Sequence, residues 1–217
     1  MLALTGTAIY LLSLPQTPSI IAGVICGICV VVMLPGFMII QPNNSRVLTF
    51  FGRYAGTVIS NGFYWVNPLF LKSTVTLRIL NLNIDPIKVN DKVGNPIMIG
   101  AVVVWRIKDT YKASFDISGN IREFVQIQSD AALRQVAGMY AYDTNETIDK
   151  VTLRSDESGE ITQRLEDELN SRLAIAGIEI VEARINYLAY ASEIASVMLR
   201  RQQADAIISA RERIVEG

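Results

Sequence analysis

From Met1 to Ser45 the chain carries no charged side chain, and this run restricts it more than any other feature. Such a run needs a solvent other than water. Within it Ser19 to Ile40 is 22 residues long, enough at about 1.5 Å per helical residue to reach across a hydrocarbon core about 30 Å thick. Twelve of those positions are Ile, Val, Leu or Phe, so insertion gains on the order of 4–7 kcal/mol with nothing charged to oppose it. The sequence therefore predicts a membrane anchor at 1–40 with one span at 19–40. Its lipid-facing side chains are Ile20, Ile21, Val24, Ile25, Ile28, Val31, Val32 and Leu34. Pro35-Gly36 should kink or end the helix near its exit from lipid. The shorter apolar run Leu2 to Leu14, set off by Pro15-Gln16-Thr17-Pro18, is a candidate hairpin partner. It lacks the basic stretch that begins a signal peptide. Arg46, Arg53 and Lys72 follow the span while only the terminus is charged before it, so the positive-inside tendency puts the soluble part in the cytoplasm.

Charge over the whole chain is balanced. Lys plus Arg number 20 against 21 Asp plus Glu, which leaves no broad field to attract DNA or RNA, and no nucleic-acid partner is expected. The chain has no histidine, so the usual triads and most zinc and haem sites are missing, with the side chain best suited to proton transfer near neutral pH. Cys26 and Cys29 share the apolar run without a second Cys or His cluster. They read as small residues of a lipid-embedded helix, with S-palmitoylation or redox chemistry as alternatives. No G-x-S-x-G elbow, Walker loop or HExxH occurs. The carboxylate groups Asp156-Glu157 and Glu166-Asp167-Glu168 read as solvated helix faces. No catalytic residue, cofactor or metal ligand is expected. Asn43-Asn44-Ser45 and Asn145-Glu146-Thr147 match a glycosylation pattern that matters only in a lumenal domain.

Beyond the anchor, Val47 to Phe51 and Gly56 to Ile59 read as short strands, with a turn at Asn61-Gly62. Phe63, Tyr64 and Trp65 follow directly, and this aromatic run is either core or a candidate membrane-interface belt. Leu71 to Ile84 reads as one strand whose alternation shifts face midway, which suggests a bulge or burial on both sides. The turn cluster Asn90 to Pro96 then leads into a long alternating strand through Ile97, Ile99, Ala101, Val103, Trp105 and Ile107, a hairpin. Next the period lengthens. Asn120 with Glu123 marks a helix start, and Phe124, Val125, Gln128, Ala132, Gln135, Val136 and Met139 mark one of its faces. A second helix from about Asp156 to Ala176 carries Ile161, Leu165, Leu169 and Leu173 and stops at Gly177 before a strand from Ile178 to Ile185. Sheet followed by helices with one late strand is an α+β arrangement.

Ser192 can cap a last helix reaching Gly217 with no Pro or interior Gly. Ile194, Val197, Arg201, Ala204, Ile208, Arg211 and Val215 recur at alternating four- and three-residue spacing, a thin coiled-coil seam that needs neighbours. With no helix stop at Gly217, the natural chain is expected to continue.

Several segments, in this order, carry a resemblance. They are Gln41-Pro42 through Arg46-Val47-Leu48 to Phe51-Gly52-Arg53-Tyr54, then Gly62 to Pro68, then Lys88-Val89-Asn90-Asp91 through Gly94-Asn95-Pro96-Ile97 to Val103-Val104-Trp105. Gln128-Ser129-Asp130-Ala131 with Leu133-Arg134 follows, and then Glu182-Ala183-Arg184-Ile185 through Leu188 to Ala191, Arg201 to Ala204, and Ala210-Arg211 to Gly217. Together they resemble the SPFH or band 7 superfamily, which includes stomatin, prohibitin, flotillin and the bacterial regulators of membrane proteases, and within it a mostly bacterial stomatin-like branch. Asn44-Ser45 stands where that branch often has Glu-Ala, and Ser192 where it often has Pro.

The resemblance implies an SPFH domain with a mixed sheet and packed helices at 41–190 and the start of an oligomerisation helix at 191–217. It implies a homo-oligomeric ring or cage on membrane lipids, at the bacterial inner membrane, that organises a microdomain and regulates a membrane protease or another integral membrane protein. A monomeric membrane-tethered adaptor for one partner is the alternative scaffold reading, and a membrane-bound hydrolase is the alternative from another class.

Overall fold

The computed structural model describes residues 2–13, 17–143, 151–154 and 159–216. It forms two compact units, Met1–Arg78 and Ile79–Gly217, so the expected soluble domain 41–190 is shared between them.

Unit 1 begins with two helices packed on each other, α1 (Leu2–Ser13) and α2 (Thr17–Met33). Five short strands follow: β1 (Phe37–Ile40), β2 (Asn44–Phe50), β3 (Arg53–Val58), β4 (Gly62–Trp65) and β5 (Leu71–Thr76). β1 pairs with β4, while β2 lies between β3 and β5. The small core is Met38, Ile40 and Leu48, with Val58, Tyr64, Val66 and Phe70 packed around it.

The expected span at 19–40 is not one helix. α2 ends at Met33, Leu34–Gly36 is a 3-10 turn, and Phe37–Ile40 is a strand facing Trp65–Gly62. Pro35 lacks the N–H that would continue the ladder, and Phe37-Met38-Ile39-Ile40 is apolar and partly β-branched, which suits a strand. Gly36 lets the corner close: a Cβ there would lie 2.5 Å from Trp65 Nε1 and 2.6 Å from the Val66 carbonyl oxygen. Trp65 Nε1 donates to the Met33 carbonyl at 3.2 Å, and Val66 N–H to that of Gly36 at 2.9 Å. α2 is thus 17 residues, about 25 Å long. Among the described residues no helix is long and apolar enough to cross a membrane.

Unit 2 is a sheet under helices. Its elements are β6 (Leu80–Asn90), β7 (Pro96–Ile107), α3 (Thr110–Phe115), α4 (Ile121–Ala137), α5 (Glu160–Leu173), β8 (Ile178–Tyr190) and α6 (Ser192–Glu216). β7 is central, and every pairing among the described residues of both units is antiparallel. The mixed sheet is therefore replaced by antiparallel ones, because short turns join β2 to β3 and β6 to β7, which only antiparallel neighbours allow. Ile161, Leu165, Leu169 and Leu173 of α5 are fully buried, as are Ile97, Ile99, Ala101 and Val103 of β7 and Val125, Ala132, Leu133 and Val136 of α4. The buried stripe of α4 is rotated from the expected one: Ser129, Leu133 and Ala137 join it, while Gln135 and Met139 face solvent. Asn120 caps α4 by accepting from the Arg122 N–H at 2.9 Å. The unexpected α3 is capped likewise by Asp109. Asp156 and Glu157, and the sequon at 145–147, lie outside the described residues.

The segment Leu71 to Ile84 is two strands rather than one. β5 ends at Thr76 in one sheet and β6 starts at Leu80 in another. The shift of apolar phase marks the passage between units at Arg78/Ile79, and the bulge comes later, between Ile84 and Ile87. α6 is a 25-residue helix as expected. Ser192 is its first helical residue rather than its cap, since the Ala191 carbonyl already accepts from Ala195 N–H at 3.1 Å.

Candidate membrane-docking surface

The first strand hairpin of unit 1 shows how the sequence exposes apolar side chains. β2 and β3 are joined by Phe51 and Gly52, both left-handed with φ of 46° and 81°. Such a two-residue turn matches the twist of the strands but favours Asn or Gly at its first position. A phenylalanine in that conformation is strained, and here it stands 81 % exposed at the tip. Around it Phe50 meets the rings of Phe51 and Phe70 edge-on, at 4.7 and 5.4 Å.

The β1–β4 ladder exposes aromatic side chains as well. In β4 the side chains alternate, so Phe63 and Trp65 point outward while Tyr64 turns into the small core. Of the expected interface aromatics, two are therefore at the surface and one is not. Phe63 stacks on Phe37 at 5.3 Å and pairs across the ladder with exposed Ile39. Ile59, Leu69 and Leu71 are exposed as well. None of these was singled out from sequence, and Phe51, expected at the end of a strand, is instead the first residue of the β2–β3 turn.

The helical hairpin is apolar on its outside. All eight expected anchor residues, Ile20, Ile21, Val24, Ile25, Ile28, Val31, Val32 and Leu34, are exposed. The inside of the hairpin is made by small residues: Gly23 is buried, and Thr7 Oγ1 lies 3.9 Å from Cys26 Sγ. Cys29 is exposed and lines, with Ile28, Val32, Met33, Trp65 and Pro68, an apolar hollow of about 460 Å³.

The electrostatics are one-sided. Unit 1 contains Arg46, Arg53, Lys72 and Arg78 and no acidic residue, so of the chain's 20 basic and 21 acidic residues unit 2 carries 16 and all 21. Large contiguous apolar patches are rare on isolated soluble domains and mark interaction or membrane sites. A surface that is apolar, aromatic and purely cationic is suited to the boundary of an anionic bilayer.

Unit 2 fixes where α6 starts. Buried Asp91 accepts from the N–H groups of Val93 (3.0 Å), Asn95 (2.7 Å) and Tyr142 (3.1 Å) and from the Asn95 amide (3.2 Å). Its carboxylate thus ties the β6–β7 turn to the segment after α4, where the Tyr142 ring lies 4.0 Å from Tyr190. Burial holds the Tyr190 hydroxyl above its ordinary pKa. Ala191 N–H donates to Pro96 at 2.9 Å, and Lys88 pairs with Glu193 at 2.5 Å. Of the expected seam, Ile194 is half-buried and Val197, Arg201, Ala204 and Arg211 are exposed, while the side chains of Ile208 and Val215 lie outside the described set. The run Glu166-Asp167-Glu168 is tied into the fold: Glu166 accepts from Ala183 N–H at 3.1 Å and Glu168 pairs with Arg172 at 2.6 Å.

Comparison with known proteins gives one family: the sequence matches the SPFH domain / Band 7 family over residues 38–217. No curated protein matches the chain.

Proposed function

This chain belongs to the SPFH domain / Band 7 family, and on that premise we propose that it is a membrane-attached scaffold whose unit 1 is the lipid-facing part. The observation that carries the reading is the exposed, acid-free apolar surface of unit 1. α1 and α2 are uncharged and pack as a pair, so they enter the bilayer from one side as a hairpin. Phe51, Phe63, Trp65 and Leu71 rest at the interface. α6 leaves unit 2 as a long helix with Val197, Leu199 and Ile207 exposed at different points around it, apolar side chains that neighbouring copies of the chain would cover in a ring or cage. The clients are membrane proteins, a protease among them, and the setting is the cytoplasmic face of a bacterial inner membrane, as in the stomatin-like branch.

Docking is tested by flotation of the full chain on phosphatidylcholine vesicles. Phe51→Ser with Leu71→Ser removes two side chains worth roughly 1.5–3 kcal/mol each when buried, so the double variant should partition at least tenfold less. Equal flotation would remove Phe51 and Leu71 from the interface and leave the helical hairpin as the lipid contact. Assembly is tested separately, since truncation before Ser192 should shrink the particle on native gels. Unchanged size with intact flotation would favour the monomeric adaptor.

A further inference from the structure

We propose that unit 1 holds a binding site for the phosphate of an anionic phospholipid, in the cleft between β1 and the β2–β5 ladder. The inference rests on the docking reading above, but different residues carry it. The cleft has a volume of about 710 Å³ and two unlike walls. Arg46 lies opposite Thr74 in the β2–β5 register, and Lys72 lies opposite Leu48, so Asn44, Arg46, Lys72 and Thr74 share one face of that sheet. All four line the cleft. Phe37, Ile39 and Phe63 form the apolar wall, with the stacked rings 5.3 Å apart.

Both cations are half-buried, yet unit 1 has no carboxylate to neutralise them. Lys72 Nζ donates to the Pro35 carbonyl, which occupies one of its three donors. Arg46 offers a planar fork matched to two phosphate oxygens. Half-buried charge of one sign is costly unless a counter-charge arrives, and the residues beside it dictate which counter-charge fits. A free phosphate has no use for the apolar wall. A phospholipid uses both walls, its phosphodiester between Arg46 and Lys72 and an acyl chain along Phe37, Ile39 and Phe63. A zwitterionic headgroup brings its own ammonium into a cleft that has no acid to meet it, so the site selects a headgroup with net negative charge.

The experiment floats the full chain on vesicles of phosphatidylcholine alone and of phosphatidylcholine with phosphatidylglycerol. A Lys or Arg near an anionic surface is worth about five-fold in partition. If charge acted only through the general field, Arg46→Gln with Lys72→Gln and Arg53→Gln with Arg78→Gln would each lose about 25-fold on phosphatidylglycerol vesicles. Arg53 and Arg78 are exposed outside the cleft. The site predicts the full loss, or more, for the first pair and less than about five-fold for the second. Equal losses overturn it. Arg46→Lys should keep most of the preference, which separates loss of charge from loss of fold. Displacement of the lipid preference by millimolar glycerol phosphate would make soluble phosphate the ligand and overturn the lipid assignment. Flotation of Arg46→Gln/Lys72→Gln on pure phosphatidylcholine should equal that of the unaltered chain. If the unaltered chain floats only on phosphatidylglycerol, and only with Arg46 and Lys72 present, the site stands and apolar docking falls.

Discussion

The two units use the same kinds of residue in opposite ways. In unit 2, Ile161, Leu165, Leu169 and Leu173 lie on one stripe of α5 and are wholly withdrawn from solvent. In unit 1, eight aliphatic residues between Ile20 and Leu34, with Phe51, Phe63 and Leu71 beyond them, stand outside. Charge divides along the same line, with every acid in unit 2. Apolar burial is driven by water, so a unit that leaves its apolar surface outside and admits no carboxylate fits the proposed docking to a different solvent. On that proposal the units differ in medium rather than in folding quality.

Matched substitutions test this contrast, and the largest effect belongs to leucine. Leu169 is 0 % exposed and Leu71 69 %. Leu169→Ala should cost about 2–5 kcal/mol in denaturant unfolding, whereas Leu71→Ala should stay within about 0.5 kcal/mol. Similar costs at both sites would erase the distinction between a dry core and a docking face. Glycines give a smaller contrast. Gly177 and Gly52 have φ of 67° and 81°, so alanine at either is strained by about 1–2 kcal/mol. Only at Gly177 would the new Cβ also press on backbone, 2.6 Å from the Asp109 carbonyl oxygen. There the Gly177 carbonyl accepts from both Lys108 and Asp109 N–H. Gly177→Ala should therefore cost about 2 kcal/mol or more and Gly52→Ala about 1 kcal/mol, by thermal or denaturant melts.

Unit 2 was the more legible in sequence, for a physical reason. Its residues obey water: the four-residue spacing of Ile161 to Leu173 and the two-residue spacing of Ile97 to Ile107 each predict the buried face observed. Asn120 and Gly177 end or begin helices where their chemistry says they should. Unit 1 obscures those rules because its outside is apolar too. The run from Ser19 to Ile40 is uniformly greasy, so hydropathy could not reveal that Pro35-Gly36 turns helix into strand, although the proline itself could. The eight residues at 20–34 are exposed, as lipid-facing side chains would be, whereas Phe51, Leu69 and Leu71 needed the hairpin geometry. Asp91 read as one more turn residue, because its four donors come partly from Tyr142 and Asn95 and only folding brings them together.

The smallest expected effect is a pH effect, and it too separates the units. Unit 1 has neither acid nor histidine, so nothing in its side chains titrates between the carboxylate and thiol ranges. Unit 2 contains Asp130 on α4, whose Oδ1 is buried without a partner. Burial holds its pKa above the ordinary carboxylate value, against the opposing pull of Arg134 and with a lesser push from Asp85. A raised pKa means that the folded state holds this proton more tightly than the unfolded one, so ionisation at neutral pH costs stability. The cost vanishes below the unfolded carboxylate pKa, where both states are protonated. Asp130→Asn should therefore stabilise the chain slightly at pH 7, by less than about 0.5 kcal/mol since the residue as a whole is only partly buried and Arg134 offsets part of the desolvation. That gain should shrink as the pH falls through the raised pKa toward the ordinary carboxylate value. A gain that persisted at low pH would assign the effect to packing of the amide, and a loss at pH 7 would mean that the attraction of Arg134 outweighs desolvation.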